Sequence, residues 1–479
     1  MWWLLILATW IGWGIISDSK KKGSSYTSTP YIKPPFQPQP KKLNEKRLEI
    51  ENIKLGEEQR TIFDILEKSN ENVFITGRAG TGKSVLLQHF RYKSSKQMVV
   101  VAPTGVAALN VGGQTIHSLF RIPPQFIQKD SLRVNYKTAS LLRHIDVVVI
   151  DEVSMVRADL MDAIDSLMRQ ARSNNLPFGG AQMVMFGDLF QLPPIVSDPE
   201  LHKYFADNHG GYYFFHAYVW REAEMKIYEL TKNYRQKDEL FKEILNAIRD
   251  GSISESENLL NELNKRTVES PKENILVLAT TNNEVNEINR DKLEKLEGKV
   301  YKYQASISGN LEQSAFPTEE ILYLKKGAQV MLLKNDREKR WVNGTLGKIN
   351  SLSDREIRVD IDGMIYSVPR ETWNKIRYYY DPETKKVEEE VISSFTQFPL
   401  RLAWAITVHK SQGQTYTGVL VDMGAGAFTH GQTYVALSRC TSLEGLFLRR
   451  GIEQKDVIVA PEIISFMKRV TIISVRDTN

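Results

Sequence analysis

Cysteine is almost absent from this chain: Cys440 stands alone in 479 residues. One thiol closes no disulfide within the chain and builds no thiolate metal site, and such usage fits a reducing compartment. Histidine is scarce as well. The eight present are scattered, with no metal-ligand spacing. Neither sign of charge is in excess: 63 Lys and Arg face 58 Asp and Glu, a net charge of +5. That balance permits a nucleic-acid partner without requiring one. No internal repeat is visible.

Long hydrophobic runs are missing after the first few residues. The exception, residues 2–16 (WWLLILATWIGWGII), carries no charge and is followed by Lys20, Lys21 and Lys22. A full span needs about 20 apolar residues, or roughly 17 at the short end. No basic residue precedes the run and no A-x-A site follows it, so it matches a secretory signal poorly. Three readings stay open: a membrane anchor, with the lysines holding the rest of the chain on the cytoplasmic face; a signal-like or mis-called start; and a peripheral apolar helix. A plainly cytoplasmic chain is the alternative. Residues 18–51, with Pro30, Pro34, Pro35, Pro38 and Pro40, read as an extended linker.

The chain of 479 residues is too long for one compact domain and suits roughly two to four. From residue 52 onward short apolar runs (73–76, 98–102, 147–150 and 183–186) alternate with amphipathic segments, the pattern of buried parallel strands in an α/β sheet. Leu160, Ile164, Leu167, Met168 and Ala171 predict a helix over 159–172 whose methionines are core. A second α/β set is expected from Met225, with strands at 275–279 and 419–421 and a helix at 283–295. Between its parts, residues 327–398 alternate apolar and polar positions and read as a small antiparallel barrel.

The strongest local signal is GRAGTGKS, from Gly77 through Arg78, Ala79, Gly80, Thr81 and Gly82 to Lys83 and Ser84. Its glycines let backbone N–H groups turn toward phosphate oxygens, the following helix aims its positive end there, Lys83 brings a point charge and Ser84 a hydroxyl for Mg²⁺. The run VVVI then ends in Asp151, which would orient the Mg²⁺ shell, and Glu152, which would act as general base toward water. Together these define an NTPase and no more. Gln191, in FGDLFQLPP, is placed to report on the γ-phosphate. Arg235, in NYRQ, is a candidate arginine finger, and Arg439, in VALSR, a second charge clamp.

The ordered set GRAGTGKS, APTGVAALNVGGQTIHS, VIDEVSMV, FGDLFQLPP, LTKNYRQ, ITVHKSQGQT and YVALSRCTSLEGL resembles the Pif-one-like (petite integration frequency) DNA helicases, relatives of RecD in superfamily 1B. The resemblance runs from about residue 55 to 451. It implies two RecA-like P-loop domains in tandem, with an SH3-like 2B barrel inserted in the second. The boundaries it suggests are 52–224 for the first domain, 225–326 with 399–479 for the second, and 327–398 for the insertion; the hydrophobic segment 1–17, expected as a short N-terminal helix, is a departure from the family's pattern. It further implies ATP and Mg²⁺ as cofactors, adenine read by Gln59, and the Mg²⁺ held by Ser84 and Asp151. Single-stranded DNA would run past Pro103, Thr104, Thr115, His117, His409, Lys410, Ser411, Thr415 and Gln432, with Asn343 and Gly344 in the entry motif of the 2B unit. Residues 119–140 fall where the family keeps its strand-splitting wedge, and contain Phe120, Phe126 and Tyr136 as large aromatics. Such enzymes move 5′→3′; this chain is expected to meet single-stranded DNA and duplex junctions, and to function as a monomer. The rival expectation is a DNA-remodelling ATPase that travels without parting strands.

Overall fold

The computed structural model describes residues 54–127, 132–196, 198–269 and 275–474. The apolar run at 2–16 and the linker to residue 51 lie outside these. Among the described residues no helix is long and apolar enough to cross a membrane.

The first lobe holds α1 (Glu57–Lys68), β1 (Val73–Gly77), α2 (Lys83–Lys93), β2 (Met98–Ala102), α3 (Gly105–Val111), β3 (Gln114–Thr115), α4 (Ile116–Phe120), α5 (Tyr136–Arg143), β4 (Val147–Ile150), α6 (Ala158–Arg172), β5 (Gln182–Phe186) and β6 (Lys226–Leu230). The second contributes α7 (Glu239–Asp250), β7 (Leu276–Ala279) and α8 (Asn282–Lys295). Antiparallel strands follow: β8 (Tyr301–Gln304), β9 (Ser306–Ser308), β10 (Ile321–Leu324), β11 (Gln329–Leu332), β12 (Leu346–Leu352), β13 (Ile357–Ile361), β14 (Met364–Val368), β15 (Glu371–Asp381), β16 (Lys386–Gln397) and β17 (Leu400–Leu402). The chain then completes the second lobe with β18 (Ala405–Thr407), β19 (Val419–Asp422), α9 (Gln432–Leu437) and β20 (Leu446–Leu448), and ends its described course in α10 (Pro461–Arg469) and β21 (Ile472–Ile473).

The first sheet is parallel, in the order β21-β6-β1-β5-β4-β2-β3. Its strands are continuously apolar because both faces are covered. Phe74, Val99, Val101, Val148 and Ile150 face Ile164 and Met168 of α6. Val73, Ile75, Val100, Val147 and Val149 face Ile62 and Leu66 of α1 and Leu86 and Phe90 of α2. Each such fully buried side chain contributes about 1.5–3 kcal/mol. The α6 methionines are core, as their helical spacing predicts. The second sheet is also parallel, in the order β18-β7-β19-β20, with Val277, Ala279 and Leu420 packed on Val285 of α8.

The antiparallel unit has the order β14-β13-β12-β11-β17, around Val330, Leu332, Ile349, Val359, Phe398 and Trp404. Leu322 and Leu324 of the β8–β10 pair enter the same core. This unit therefore exceeds the expected 327–398 on both sides. The β15–β16 hairpin, counted with the barrel in the sequence, leaves it. Its base pairs with β9, and its far half reaches the first lobe beside the short edge strand β3. There Val100 N–H donates to the Tyr378 hydroxyl (3.3 Å), Tyr378 N–H donates to Gln114 Oε1 (3.2 Å), and Val387 N–H donates to Gln97 Oε1 (2.8 Å). Arg91 pairs with Glu389 at 2.8 Å and His144 stacks on Tyr380 at 3.4 Å.

The lobe boundary also differs from 224/225. Strand β6 belongs to the first sheet, aligned in register with β1, and the tail expected in the second lobe returns to the first. Phe466 of α10 stacks on Phe215 at 4.1 Å, and Ile472 aligns with Ile227. The reason is that β6 is otherwise an edge with an apolar flank, which α10 and β21 cover.

Candidate active site in the cleft between the lobes

The phosphate loop forms where β1 ends and α2 begins. Gly80 (φ +87°) and Gly82 (φ +82°) hold left-handed backbone, which L side chains resist. Space forbids a side chain as well. A Cβ on Gly80 would lie 2.6 Å from Arg235 Cβ, and one on Gly82 2.3 Å from Gln59 Nε2. The loop is therefore held between Gln59, from α1, and Arg235, from the segment after β6. Gln59 is nearly inaccessible; its Nε2 donates to Gly82 O (3.1 Å) and its Oε1 accepts from Gly56 N–H (2.9 Å). Glu58 ties the same helix to the backbone N–H of Thr231 and Lys232.

Lys83 Nζ donates to Gly77 O (2.5 Å) and Arg78 O (3.2 Å). Burial lowers its ammonium below the usual lysine range, while the Asp188 and Glu152 carboxylates pull it back up. Ser84 is exposed on the first turn of α2. At the end of β4, Asp151 N–H donates to Val101 O (2.9 Å). Burial, and then the neighbouring Glu152 charge, push the Asp151 carboxyl up to about 7. Glu152 is raised by burial too, with Lys83 and Arg439 opposing. Its backbone is left-handed (φ +52°), a strain of about 1–3 kcal/mol of the kind that collects at functional sites.

The second lobe closes the pocket. Gln412 Nε2 donates to Glu152 Oε2 (3.1 Å) and to Gln191 Oε1 (3.4 Å). Gln191 Nε2 donates to Asp188 Oδ2 (3.2 Å). Arg235 Nη1 donates to Ser438 O (3.0 Å); burial and the facing Arg439 charge push its guanidinium down to about 9. Arg439 is 1% exposed and is held by Val435 O (2.9 Å) and Ser438 Oγ (2.9 Å), with its charge felt at Glu152. Ala79 N–H, inside the phosphate loop, donates to the Tyr434 hydroxyl of α9 (2.9 Å). Lys83, Glu152, Gln191, Arg235 and Arg439 thus share one cleft, fed from both lobes.

Sequence reasoning missed Asp188, Gln412 and Tyr434, although each stood inside a quoted motif, and missed Arg249, which stood in none. It also passed over Tyr234, whose ring lies along Gly82 on the Gln59 side of the loop.

The residues assigned to a DNA path fall out differently. Thr104 and Thr115 cap α3 and α4, accepting from Ala107 N–H and Ser118 N–H (3.2 Å each). Thr104, Lys410 and Thr415 are exposed; Pro103, Thr115, His117 and His409 are half-buried. Burial lowers the His409 group; the residue Lys410 is exposed overall, but partial desolvation of its ammonium and the Arg401 charge lower it too. Asn343 and Gly344 turn against Gln414, whose Nε2 donates to Asn343 Oδ1 (3.2 Å). Two assignments need correction. Ser411 is fully buried and its hydroxyl donates to Val408 O (2.7 Å); Gln432 is fully buried and accepts from Phe428 N–H (3.0 Å). Neither side chain faces a surface that a strand can reach. Within the supposed wedge, Phe120 is core and Phe126 packs edge-on against Tyr204, leaving Tyr136 as the exposed aromatic, 82% accessible.

Two parallel α/β lobes sharing one phosphate loop, with a carboxylate pair on one side and arginines closing from the other, define a P-loop nucleoside-triphosphatase of the two-lobed motor class. A family model described as PIF1-like helicase matches residues 54–259, and one described as DNA helicase Pif1, 2B domain matches residues 308–352. The ATP-dependent DNA helicase Pif1 of Bdellovibrio bacteriovorus is 32% identical over 433 residues, covering 88% of this chain and 93% of that protein. Against the ATP-dependent DNA helicases PIF1 of Emericella nidulans, RRM3 of Saccharomyces cerevisiae and PIF1 of Danio rerio, the alignment covers 62%, 65% and 64% of their lengths. Among solved structures, Bacteroides Pif1 in complex with ADP-AlF4 superposes with a TM-score of 0.81 at 37% identity, covering 87% of this chain and 97% of that one. Bacteroides Pif1 with ADP-AlF3 and ssDNA superposes with a TM-score of 0.62 at 39% identity and the same coverage. The chain belongs to the PIF1-like helicase family.

Proposed function

We infer that this chain is an ATP-dependent DNA helicase that moves 5′→3′ along single-stranded DNA and parts duplex at junctions, in replication, repair or recombination. The observation that carries the reading is the two-sided pocket: Arg235 packs on Gly80 of the phosphate loop while Tyr434, from the second lobe, takes the Ala79 N–H. A nucleotide in such a cleft is felt by both lobes, so gaining and losing the γ-phosphate drives closing and opening.

In this reading the lobes are RecA-like domains and the antiparallel unit is the SH3-like 2B domain. Glu152 acts as general base; Gln191, Arg235 and Arg439 meet the γ-phosphate. Ser84 and Asp151 offer a hydroxyl and a carboxylate, hard oxygen donors suited to Mg²⁺ that stays partly bound to phosphate and water. The raised Asp151 carboxyl fits a position that welcomes a cation. Gln59 explains base choice. Its amide is already fixed by Gly56 and Gly82, leaving one donor and one acceptor, which complement adenine N7 and N6–H₂ and clash with guanine O6. Pro103, Thr104, Thr115, His117, Lys410 and Thr415 line the strand, and Tyr136 is the wedge aromatic. The grip is mainly on phosphates and weakens with salt. The chain works as a monomer. A tether through residues 2–16 is a separate proposal, resting on that apolar run and the three lysines after it; membrane fractionation with and without the run tests it.

Strand separation on 5′-tailed and 3′-tailed duplexes tests the main reading. Unwinding of the 5′-tailed substrate alone, lost in Lys83→Ala, is expected. ATP hydrolysis with no strand release on either would leave the remodelling ATPase instead.

A further inference from the structure

Arg249 has no task in the scheme above, yet it is one of the most enclosed charges in the molecule. It rises from α7 of the second lobe, 8% exposed, and points back into the first. Its Nη2 donates to Asp188 Oδ1 at 3.2 Å, and its guanidinium lies 4.1 Å over the ring of Phe190. Its Nε–H has no acceptor among the described residues, so the group is held there by one edge and one face. Asp188, 1% exposed, spends its other oxygen on Gln191 Nε2, and Oδ1 also accepts from Phe190 N–H (3.2 Å).

These contacts extend the cleft network. A continuous line of side chains runs from Arg249 through Asp188, Gln191 and Gln412 to Glu152, and crosses between the lobes at both ends. Burial lifts the Asp188 carboxyl, but the Arg249 guanidinium and Lys83 ammonium outweigh it and hold the group below the usual carboxylate range. An ionised Asp188 can only accept, so it fixes which end of the Gln191 amide faces it: the NH₂ is drawn to Asp188. Phe190 is the residue beside Gln191, so a guanidinium stacked on that ring ties the segment to α7.

We propose that Arg249 is a positioning residue for hydrolysis: acting from the second lobe through Asp188 and Phe190, it sets the orientation of Gln191, so the γ-phosphate sensor is aligned only when the lobes are closed. The proposal rests on the helicase reading. It adds a third interlobe arginine that does not meet the nucleotide.

The test uses the full chain with Arg249→Met, read by affinity for ADP and for ADP with aluminium fluoride, and by DNA-stimulated kcat and KM for ATP. Wild-type protein that hydrolyses no ATP on DNA would sink the helicase reading itself. With an active wild type, the expected result is a kcat at least tenfold lower and an aluminium fluoride complex bound at least tenfold more weakly, while KM and ADP affinity stay within twofold. A merely structural salt bridge would lower both affinities together, and that outcome, or wild-type values throughout, overturns the proposal. If Arg249→Met fails to fold, Arg249→Lys keeps the charge facing Asp188 but loses the planar stack on Phe190. The same split is then expected at threefold or more, and an unchanged lysine enzyme overturns the proposal.

Discussion

Replacing Gly82 by alanine tests how tightly the phosphate loop is fitted to its surroundings. Two effects add. The left-handed backbone at φ +82° costs an L residue about 1–2 kcal/mol. The new methyl also arrives 2.3 Å from Gln59 Nε2, so the amide must move and give up its bonds to Gly82 O and Gly56 N–H, about 1 kcal/mol each. The sum is about 3–4 kcal/mol. Gly210 separates the two terms. It ends the helix Pro199–His209 at φ +78°, with nothing within 4 Å of an added Cβ, so Gly210→Ala carries the strain alone. Urea unfolding of both variants, with unchanged slope, should give Gly82→Ala a deficit about 2 kcal/mol larger, and only that variant should show a raised KM for ATP. Equal losses would refute the argument that Gln59 and the loop are in hard contact.

Gln59→Ala should leave the fold intact and cut the preference for ATP over GTP by roughly 10–100-fold in kcat/KM, since about 1–3 kcal/mol of base recognition goes with the amide; an unchanged ratio would place adenine reading elsewhere. The raised Asp151 carboxyl means that at this one site the folded chain holds more proton than the unfolded chain between pH 4 and about 7, so its contribution to stability is present at low pH and is lost as pH rises through 7. Nucleotide-free wild type should therefore lose stability relative to Asp151→Asn across that window, and parallel pH profiles would disprove the assignment. Tyr378→Ala removes the buried ring that pins the β15–β16 hairpin to the first lobe; a loss of about 3–5 kcal/mol should show as faster amide exchange in β3 and the hairpin, with β7 and β19 unaffected.

Much of the cleft was legible because its chemistry is local. The phosphate loop and the carboxylates after β4 each sit in a short recognisable run, and the two arginines stand out once the ordered set of motifs is seen together. What stayed hidden is pairing over long separations. Nothing in residues 239–250 marks Arg249 as the partner of Asp188, because an amphipathic helix tolerates an arginine anywhere along its polar border. The hairpin was read with the barrel because alternation reports a half-buried strand and is silent about which sheet it joins. Ser411 and Gln432 were placed on the DNA path because a polar residue inside a binding motif reads the same whether it faces a ligand or braces its own loop. The two residues of β21 are too few to carry any pattern.

That last strand sets the kind of movement open to the motor. The chain departs the first lobe after Leu230 and is handed back through α10, and the β21 that follows lies beside β6 in one sheet. A lobe hung from a single connector can swivel about any axis, whereas one suspended from two neighbouring anchor points behaves like a door on paired hinges. Free swivelling about other axes is opposed by that second attachment.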